Sequence, residues 1–544
     1  MSNHVAFRRQ PVQPQMALQH QAITMPAPNR GIIESENIAF MQPGAAMICD
    51  NWVPTMRGVR LRGGCLEWCT LPETTPIISG FEYVSGSNHR MYAANANKLY
   101  DVTAPSPALV ASGQSSGNYS TAQMANAAGD YLIAVNEAGD FPWRFDGTTW
   151  VRLNADQIGT DPVKYPGAKV EHGHNLVYVW KYRNRLFFIE QSSMNAWYLG
   201  LNSIGGKLEM IPLSGAATRG GRLVFGCSWS IDAGDGIDDK CCFFTDLGEV
   251  IIFTGGNPAD PANWRQEGRY QIGQPLGINA HIAIGGDVLI ATTDGIVPLS
   301  KAITKDAIEL QLAAVTMPIN NMWRQEVAAK RGLPWTMTKW DDYGAMFVTW
   351  PGGRPGNRYC AVMNVVTNAW ARFTGWDATC WMHLRQDMFF GTQDGIVMQA
   401  DRTGMDNGLP YVATLVGGWG LFGKQAQSQT WLQARAIFAA RGSAGSFIPQ
   451  ITSCVDYVID LPPPPLAGVD NDVIEVWDQG QWDSARWDQP TPGAAPIRNT
   501  GWISVGRTGF SHAPVIQVTV AQQSRPAIEF IAMDALFSRI GTDV

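Results

Sequence analysis

Apolar and polar residues alternate with a period of two along most of this chain, in short runs broken by glycine and by acid-glycine turns. Met91-Tyr92-Ala93-Ala94-Asn95 leads into Lys98-Leu99-Tyr100-Asp101, and Tyr131-Leu132-Ile133-Ala134-Val135 leads past Gly139 to Trp143-Arg144-Phe145-Asp146-Gly147. Three copies are closer to one another: Phe244-Thr245-Asp246-Leu247-Gly248-Glu249-Val250, Ala291-Thr292-Thr293-Asp294-Gly295-Ile296-Val297 and Gly391-Thr392-Gln393-Asp394-Gly395-Ile396-Val397. Each reads as a hairpin, its acid-containing turn taking the positive-φ step while flanking apolar residues pack inward. Hairpins repeated from residue 78 to 402 predict radially arranged blades, each sheet burying itself against the next. At about 45 residues per blade, five to eight would fit.

One stretch follows a different period. Ala307, Leu310 and Ala314 recur at helical spacing, Pro318 interrupts, and Asn320 stands where it would cap a second helix through Met322, Trp323 and Val327 to Gly332. This predicts a short helical insertion near 303–332. Residues 1–48 are rich in Gln, Pro and Met without sustained periodicity and read as an extended arm that orders against a neighbour. Residues 49–77 and 403–544 are strand-like again. In the first, Val59 and Leu61 alternate with Arg60 and Arg62, placing both arginines on one face. In the second, Pro462-Pro463-Pro464-Pro465 is a stiff spacer. Ile516, Val518 and Val520 then turn through Gln523-Ser524-Arg525-Pro526 to Ile528, Phe530 and Ala532, the pattern of a hairpin. Between them lie Trp477-Asp478, Trp482-Asp483 and Trp487-Asp488, whose spacing of five makes no helical stripe.

Composition narrows the function classes. The 544 residues hold 40 Lys and Arg against 47 Asp and Glu, a net charge of −7, and only 16% of residues are charged. With 45% apolar content the chain can bury large cores, which excludes intrinsic disorder. The acidic balance argues against a reader of nucleic acid that grips phosphates. The 56 glycines, 33 prolines, 21 tryptophans and 21 phenylalanines fit many short strands joined by tight turns. No apolar run is long enough for a transmembrane helix, and the N-terminus lacks the apolar stretch of a secretory signal. The nine cysteines form no C-x-x-C pair and read as reduced, space-filling thiols of a protein made in cytoplasm; Cys65 and Cys69 alone do not make a zinc site.

Candidate chemistry is sparse. Asp232, Asp235, Asp238 and Asp239 offer four carboxylates on a Gly-rich loop, donors suited to calcium, although the spacing is not that of an EF-hand and a solvated acidic turn is the plainer reading. Ser230-Ile231-Asp232-Ala233-Gly234 matches the first half of the turn found in sialidase-like propellers, without its Thr-Trp end. His172 and His174 share a strand face but have no identifiable third ligand. There is no P-loop, no G-x-S-x-G and no H-E-x-x-H. The expectation is a non-enzyme without cofactor. The alternative is a propeller that binds or cleaves glycan, cleavage needing two carboxyls at controlled separation.

Asn51 to Gly64, the Trp-Asp series and the closing Pro526-Ala527-Ile528 to Ala535-Leu536-Phe537, taken in that order around a strand-rich middle, resemble the tail nozzle proteins of short-tailed bacteriophages, also called tubular or DNA-stabilisation tail hub proteins. The resemblance implies an all-β fold in which a β-propeller stands on a β-rich platform formed by the N- and C-terminal segments. It implies a virion tail protein: a homohexamer below the portal, touching the head-to-tail adaptor ring and tail fibres or spikes, with genomic DNA passing through without specific binding. Arg57, Arg60 and Arg62, with Trp477, Trp482 and Trp487, are then candidates for the subunit interface, the arginines otherwise being a solvated strand face.

Overall fold

The computed structural model describes residues 20–230, 239–304, 307–352, 359–422, 428–440, 448–467 and 497–539. The chain folds as the alternation requires. Each apolar run becomes one strand of a mostly antiparallel blade, and seven such blades stand side by side among the described residues. Their innermost strands are Ser79–Ser85, Tyr119–Asn126, Leu176–Tyr182, Leu223–Trp229, His281–Ile284, Thr336–Trp340 and Cys380–Leu384. Neighbouring blades are stitched by side chains of the inner strands reaching polar groups of the next blade. Ser79 Oγ donates to Gly117 O at 2.6 Å, Ser120 Oγ to Val179 O at 3.1 Å, and Ser228 Oγ to Lys181 O at 2.7 Å. Trp229 Nε1 donates to Gly286 O at 3.2 Å, and Trp381 Nε1 to Thr349 Oγ1 at 2.6 Å. The fold is a β-propeller.

The three similar turns occupy one structural place, between the second and third strands of blades four, five and seven. A buried threonine closes each: Glu249 N donates to Thr245 Oγ1 (2.9 Å), Asp294 N to Thr292 Oγ1 (3.2 Å) and Ile396 N to Thr392 Oγ1 (3.1 Å). Gly248, Gly295 and Gly395 supply the positive φ.

Blade seven is completed from the other end of the chain. Leu66–Thr70 is its outer strand, pairing with Ile396–Gln399, so the ring closes between residues far apart in sequence. This corrects the boundary expected at 77/78. Cys69 and Leu71 are buried there with Ile77, Met91, Phe389 and Val397.

The platform is a two-sheet sandwich. One sheet runs Trp52–Pro54, Val59–Leu61, Ile528–Arg539, Gln429–Ala440, with His20–Pro26 also on Ile528–Arg539, and with Ile497–Asn499 and Ile503–Gly509 on the far side of Gln429–Ala440. The other is blade six continued: Trp370–Thr374 pairs in parallel with Ala46–Asp50, followed by Tyr411–Gly417, His512–Val520 and Gln450–Val455. Trp431, Ala434, Ala436 and Phe438 of the first sheet meet Leu415, Ile451, Ile516 and Val518 of the second in one core. The expected hairpin 516–532 is therefore not a hairpin. His512–Val520 and Ile528–Arg539 lie in different sheets, because two strands that each have one apolar face bury both by facing each other across a sandwich.

Two further expectations change. Residues 20–48 do not wait for a neighbour: His20–Pro26 is a sheet strand, Glu34 N donates to Pro318 O at 2.7 Å, and Gly31 at φ +69° lies against the Trp370 backbone. Residues 1–19 lie outside the described residues. The insertion is helical at Leu299–Ala302, Ala307–Leu312 and Asn320–Lys330, but Asn320 does not cap the last helix. Met322 N donates instead to Glu34 Oε2 at 2.9 Å, a cap brought from 288 residues away.

Candidate functional site

The Asn51–Gly64 segment that carries the resemblance runs between propeller and platform, and its arginines part company there. Arg62 is fully buried, and every one of its five N–H groups is used. Nε donates to Asn51 Oδ1 (2.8 Å), and Nη1 to Asp406 Oδ1 and Gly63 O (both 2.8 Å). Nη2 donates to Asp406 Oδ2 (2.6 Å) and Thr374 O (2.9 Å). The guanidinium lies 4.0 Å from the centre of the Tyr411 ring, and the Tyr411 hydroxyl donates to Arg62 O. Four stretches of chain meet here: the N-terminal crossing, the end of blade six, the propeller exit and the platform strand Tyr411–Gly417.

Arg62 is thus a junction residue, which corrects its expected place at a subunit interface. The face that alternation assigns to Arg60 and Arg62 is covered by blade six aromatics. Arg60 lies 4.2 Å over Tyr343, and Arg62 5.1 Å from Trp376. Arg57 alone of the three is exposed. Gly63 and Gly64 permit the crossing: a β-carbon on Gly64 would stand 1.9 Å from Met405 O, and one on Gly63 2.0 Å from Asp401 Oδ1. Asp401, Asp406, Asn51 and Tyr411 were not found by sequence reasoning. The only local signal was the Arg-Gly-Gly triplet, since Asp406 is 344 residues from Arg62.

Asp401 accepts Gly63 N–H at 2.8 Å and pairs with Arg525 at 2.7 Å. Burial pushes its carboxyl up to about 6, against the lowering pull of Arg525, Arg60, the Gly63 N–H and Arg62.

Trp477, Trp482 and Trp487 lie outside the described residues, as do Asp232, Asp235 and Asp238. Asp239 is buried, and its carbonyl accepts the Tyr182 hydroxyl at 2.8 Å. The described residues contain no group of three or more His, Cys, Asp or Glu side chains placed to hold a metal. His174 packs on Phe141, ring centres 3.7 Å apart. All nine cysteines are buried and unpaired, and burial pushes the Cys69 thiol up to about 12, far from a reactive thiolate.

The propeller axis is crossed by side chains. Asn279 of blade five donates to Asn118 Oδ1 (3.1 Å) and Tyr119 O (3.2 Å) of blade two. His281 Nε2 meets the Tyr178 hydroxyl at 3.2 Å, its ring stacked 4.3 Å from Phe225. Enclosure pushes the His281 imidazole down from 6.5 to about 4. A lowered histidine pKa means that the unfolded chain binds the proton first. The contribution of His281 to stability is therefore complete above pH 6.5 and lost as pH falls toward 4, a decline of about 3 kcal/mol. Asp401, with a raised pKa, runs the other way: its folded form binds the proton first, so stability falls as pH rises from 3.8 to about 6. The His281 part is therefore read as a difference. Urea titrations at pH 7 and pH 5 should show the wild type losing more stability on acidification than His281→Gln does.

No family model and no curated protein matches the chain. Among solved structures it is similar to YCF48 bound to D1 peptide (10% identity over 66% of this chain and 99% of that one, TM-score 0.35). It is also similar to the β-propeller domain of Cps50 (Swd1) from Myceliophteria thermophila (9% identity, 62% and 100%, TM-score 0.38). A third is the extracellular domain of a putative one component system of B. thetaiotaomicron (10% identity, 74% of this chain but only 50% of that one, TM-score 0.38). These likenesses are slight and carry no argument about function.

Proposed function

We propose that this chain is a structural, non-enzymatic virion protein forming the tail nozzle of a short-tailed phage, six copies around the path by which the genome leaves the head. The observation that supports this reading is the platform. Strands from both ends of the chain, His20–Pro26, Ala46–Asp50 and Trp52–Leu61 with Tyr411 to Arg539, make one sandwich on which the propeller stands. That is the arrangement the resemblance implies for such proteins.

The work assigned is mechanical. A wall past which DNA slides is served by few phosphate contacts, since each neutralised phosphate is a point of adhesion, and a chain at −7 meets that need. With its axis crossed by Asn279 and His281, the propeller is not itself the conduit, so the conduit of this reading runs between copies. The adaptor ring above and fibres or spikes outside are its partners.

Native mass measurement and negative-stain imaging of purified tails test the proposal. A ring of six copies is expected; this chain as a monomer in the mature particle overturns the proposal. Release of oligosaccharides from host polysaccharide by the purified chain would favour a glycan-cleaving fibre component instead.

A further inference from the structure

Two exposed features of the platform have complementary chemistry, and neither is covered by the described residues. The first is a knob. The turn between Trp52–Pro54 and Val59–Leu61 is held by Thr55, whose Oγ1 accepts Arg57 N (3.2 Å) and Gly58 N (3.1 Å) and donates to Glu529 Oε1 (2.5 Å). On this fixed turn Met56 stands 75% exposed beside exposed Arg57, which has no ion pair among the described residues.

The second is a shelf. At the turn Val455–Val458, Asp456 and Tyr457 both take left-handed backbone (φ +52° and +64°), a conformation unfavourable for a bulky ring residue. It is held by Asp456 Oδ1, which accepts Phe510 N (2.7 Å) and Ser511 N (3.2 Å), and by the Tyr457 ring, 5.2 Å from that of buried Trp419. The turn leaves Val458 63%, Phe510 52% and, after the proline run, Leu466 89% exposed. Thr519 Oγ1 anchors the run at Pro465 O (2.5 Å), so the shelf is stiff. Asp456 and Asp460 stand exposed at its rim, Arg507 touching Asp460 only at 3.6 Å. An apolar centre with a charged rim is the anatomy of a protein-binding surface.

The knob closes the Trp52–Leu61 hairpin of the first platform sheet, and the shelf turn follows Gln450–Val455, the last strand of the other sheet, beside the Gly509 end of Ile503–Gly509. Val59 pairs at Phe530, whereas Gly509 pairs with Gln429 opposite Arg539, so about 30 Å of strand keeps them apart within one copy. We propose that the shelf receives the knob of a second copy of this chain, Met56 on the apolar centre and Arg57 toward Asp456 and Asp460. An interface between two different patches of one chain is head-to-tail, and it closes into a ring when the rotation from copy to copy completes a full turn. This rests on the ring-forming reading above and names the surfaces that would build it.

Sedimentation velocity on the full chain tests it with two variants: a knob variant, Met56→Asp with Arg57→Glu, and a shelf variant, Val458→Glu with Leu466→Glu. Each alone is expected to weaken association at least roughly tenfold. Mixed in equal amounts they retain one intact knob and one intact shelf, so they should form a heterodimer and nothing larger. The charge exchange Arg57→Asp with Asp460→Arg should recover assembly that Arg57→Asp alone loses. A wild-type ring with variants that assemble as well as it does, or a mixture without heterodimer, overturns this interface while leaving the ring intact. A wild-type chain that stays monomeric at all concentrations overturns the ring reading and the interface with it.

Discussion

Arg62→Ala is expected to destabilise the protein by about 3–5 kcal/mol, the range for breaking a buried, hydrogen-bonded ion pair by removing one partner. The loss has little to do with attraction between two charges in water. Asp406 would be left facing a vacated, enclosed space with both carboxylate oxygens deprived of their guanidinium donors, and Asn51, Gly63 and Thr374 would each lose a donor as well. Asp406→Ala strands the guanidinium in turn. Because the two residues share one network, the double variant should cost clearly less than the sum of the singles, which urea titration of all four proteins would show. Additive losses would mean that the junction is held by packing on Tyr411 and Trp376 alone.

Cys69→Asp is the second large effect, and it acts on ring closure. Cys69 sits opposite Val397 on the only strand of blade seven supplied from the N-terminal side, 3% exposed in an apolar cluster. A carboxyl there sits among apolar side chains, so its pKa would rise by about three to five units, costing about 4 kcal/mol at pH 7, where the buried group folds protonated. The sign with pH is diagnostic. The folded state would bind the proton more tightly than the unfolded one, so the variant regains stability as pH falls, and the deficit against wild type shrinks toward pH 5. Limited proteolysis should find new cleavage between residues 66 and 78 at pH 7 that Cys69→Ser does not show. A pH-independent deficit would mean that the strand is not buried.

What could be read beforehand divides along sequence separation. The three acid-glycine turns were legible, because a hairpin's chemistry lies within seven residues and Thr245, Thr292 and Thr392 each act on their own turn. Alternation gave the buried face of Val59 and Leu61 correctly. It is silent on what covers the opposite face, so Arg62 read as a surface charge when Trp376 and Tyr411 enclose it. The same silence made one hairpin of His512–Val520 and Ile528–Arg539: a period of two names a strand's inward side and not its neighbour. Leu66–Thr70 and the Glu34 cap were out of reach for the same reason, each depending on a partner about 300 residues away. The two-ended platform came from family resemblance, not from the pattern.

Blade six has no outer edge. Its ladder continues without a break from Thr336–Trp340 through Ala46–Asp50 to Gln450–Val455, eight strands shared by two architectures. Among the described residues, blade six and the platform therefore share one sheet, joined where Asp50 pairs with Arg372. A force on the platform strands is borne by the same hydrogen-bonded sheet as blade six. Cutting the chain at residue 402 would not free a propeller; it would tear that ladder down the middle and expose two raw edges.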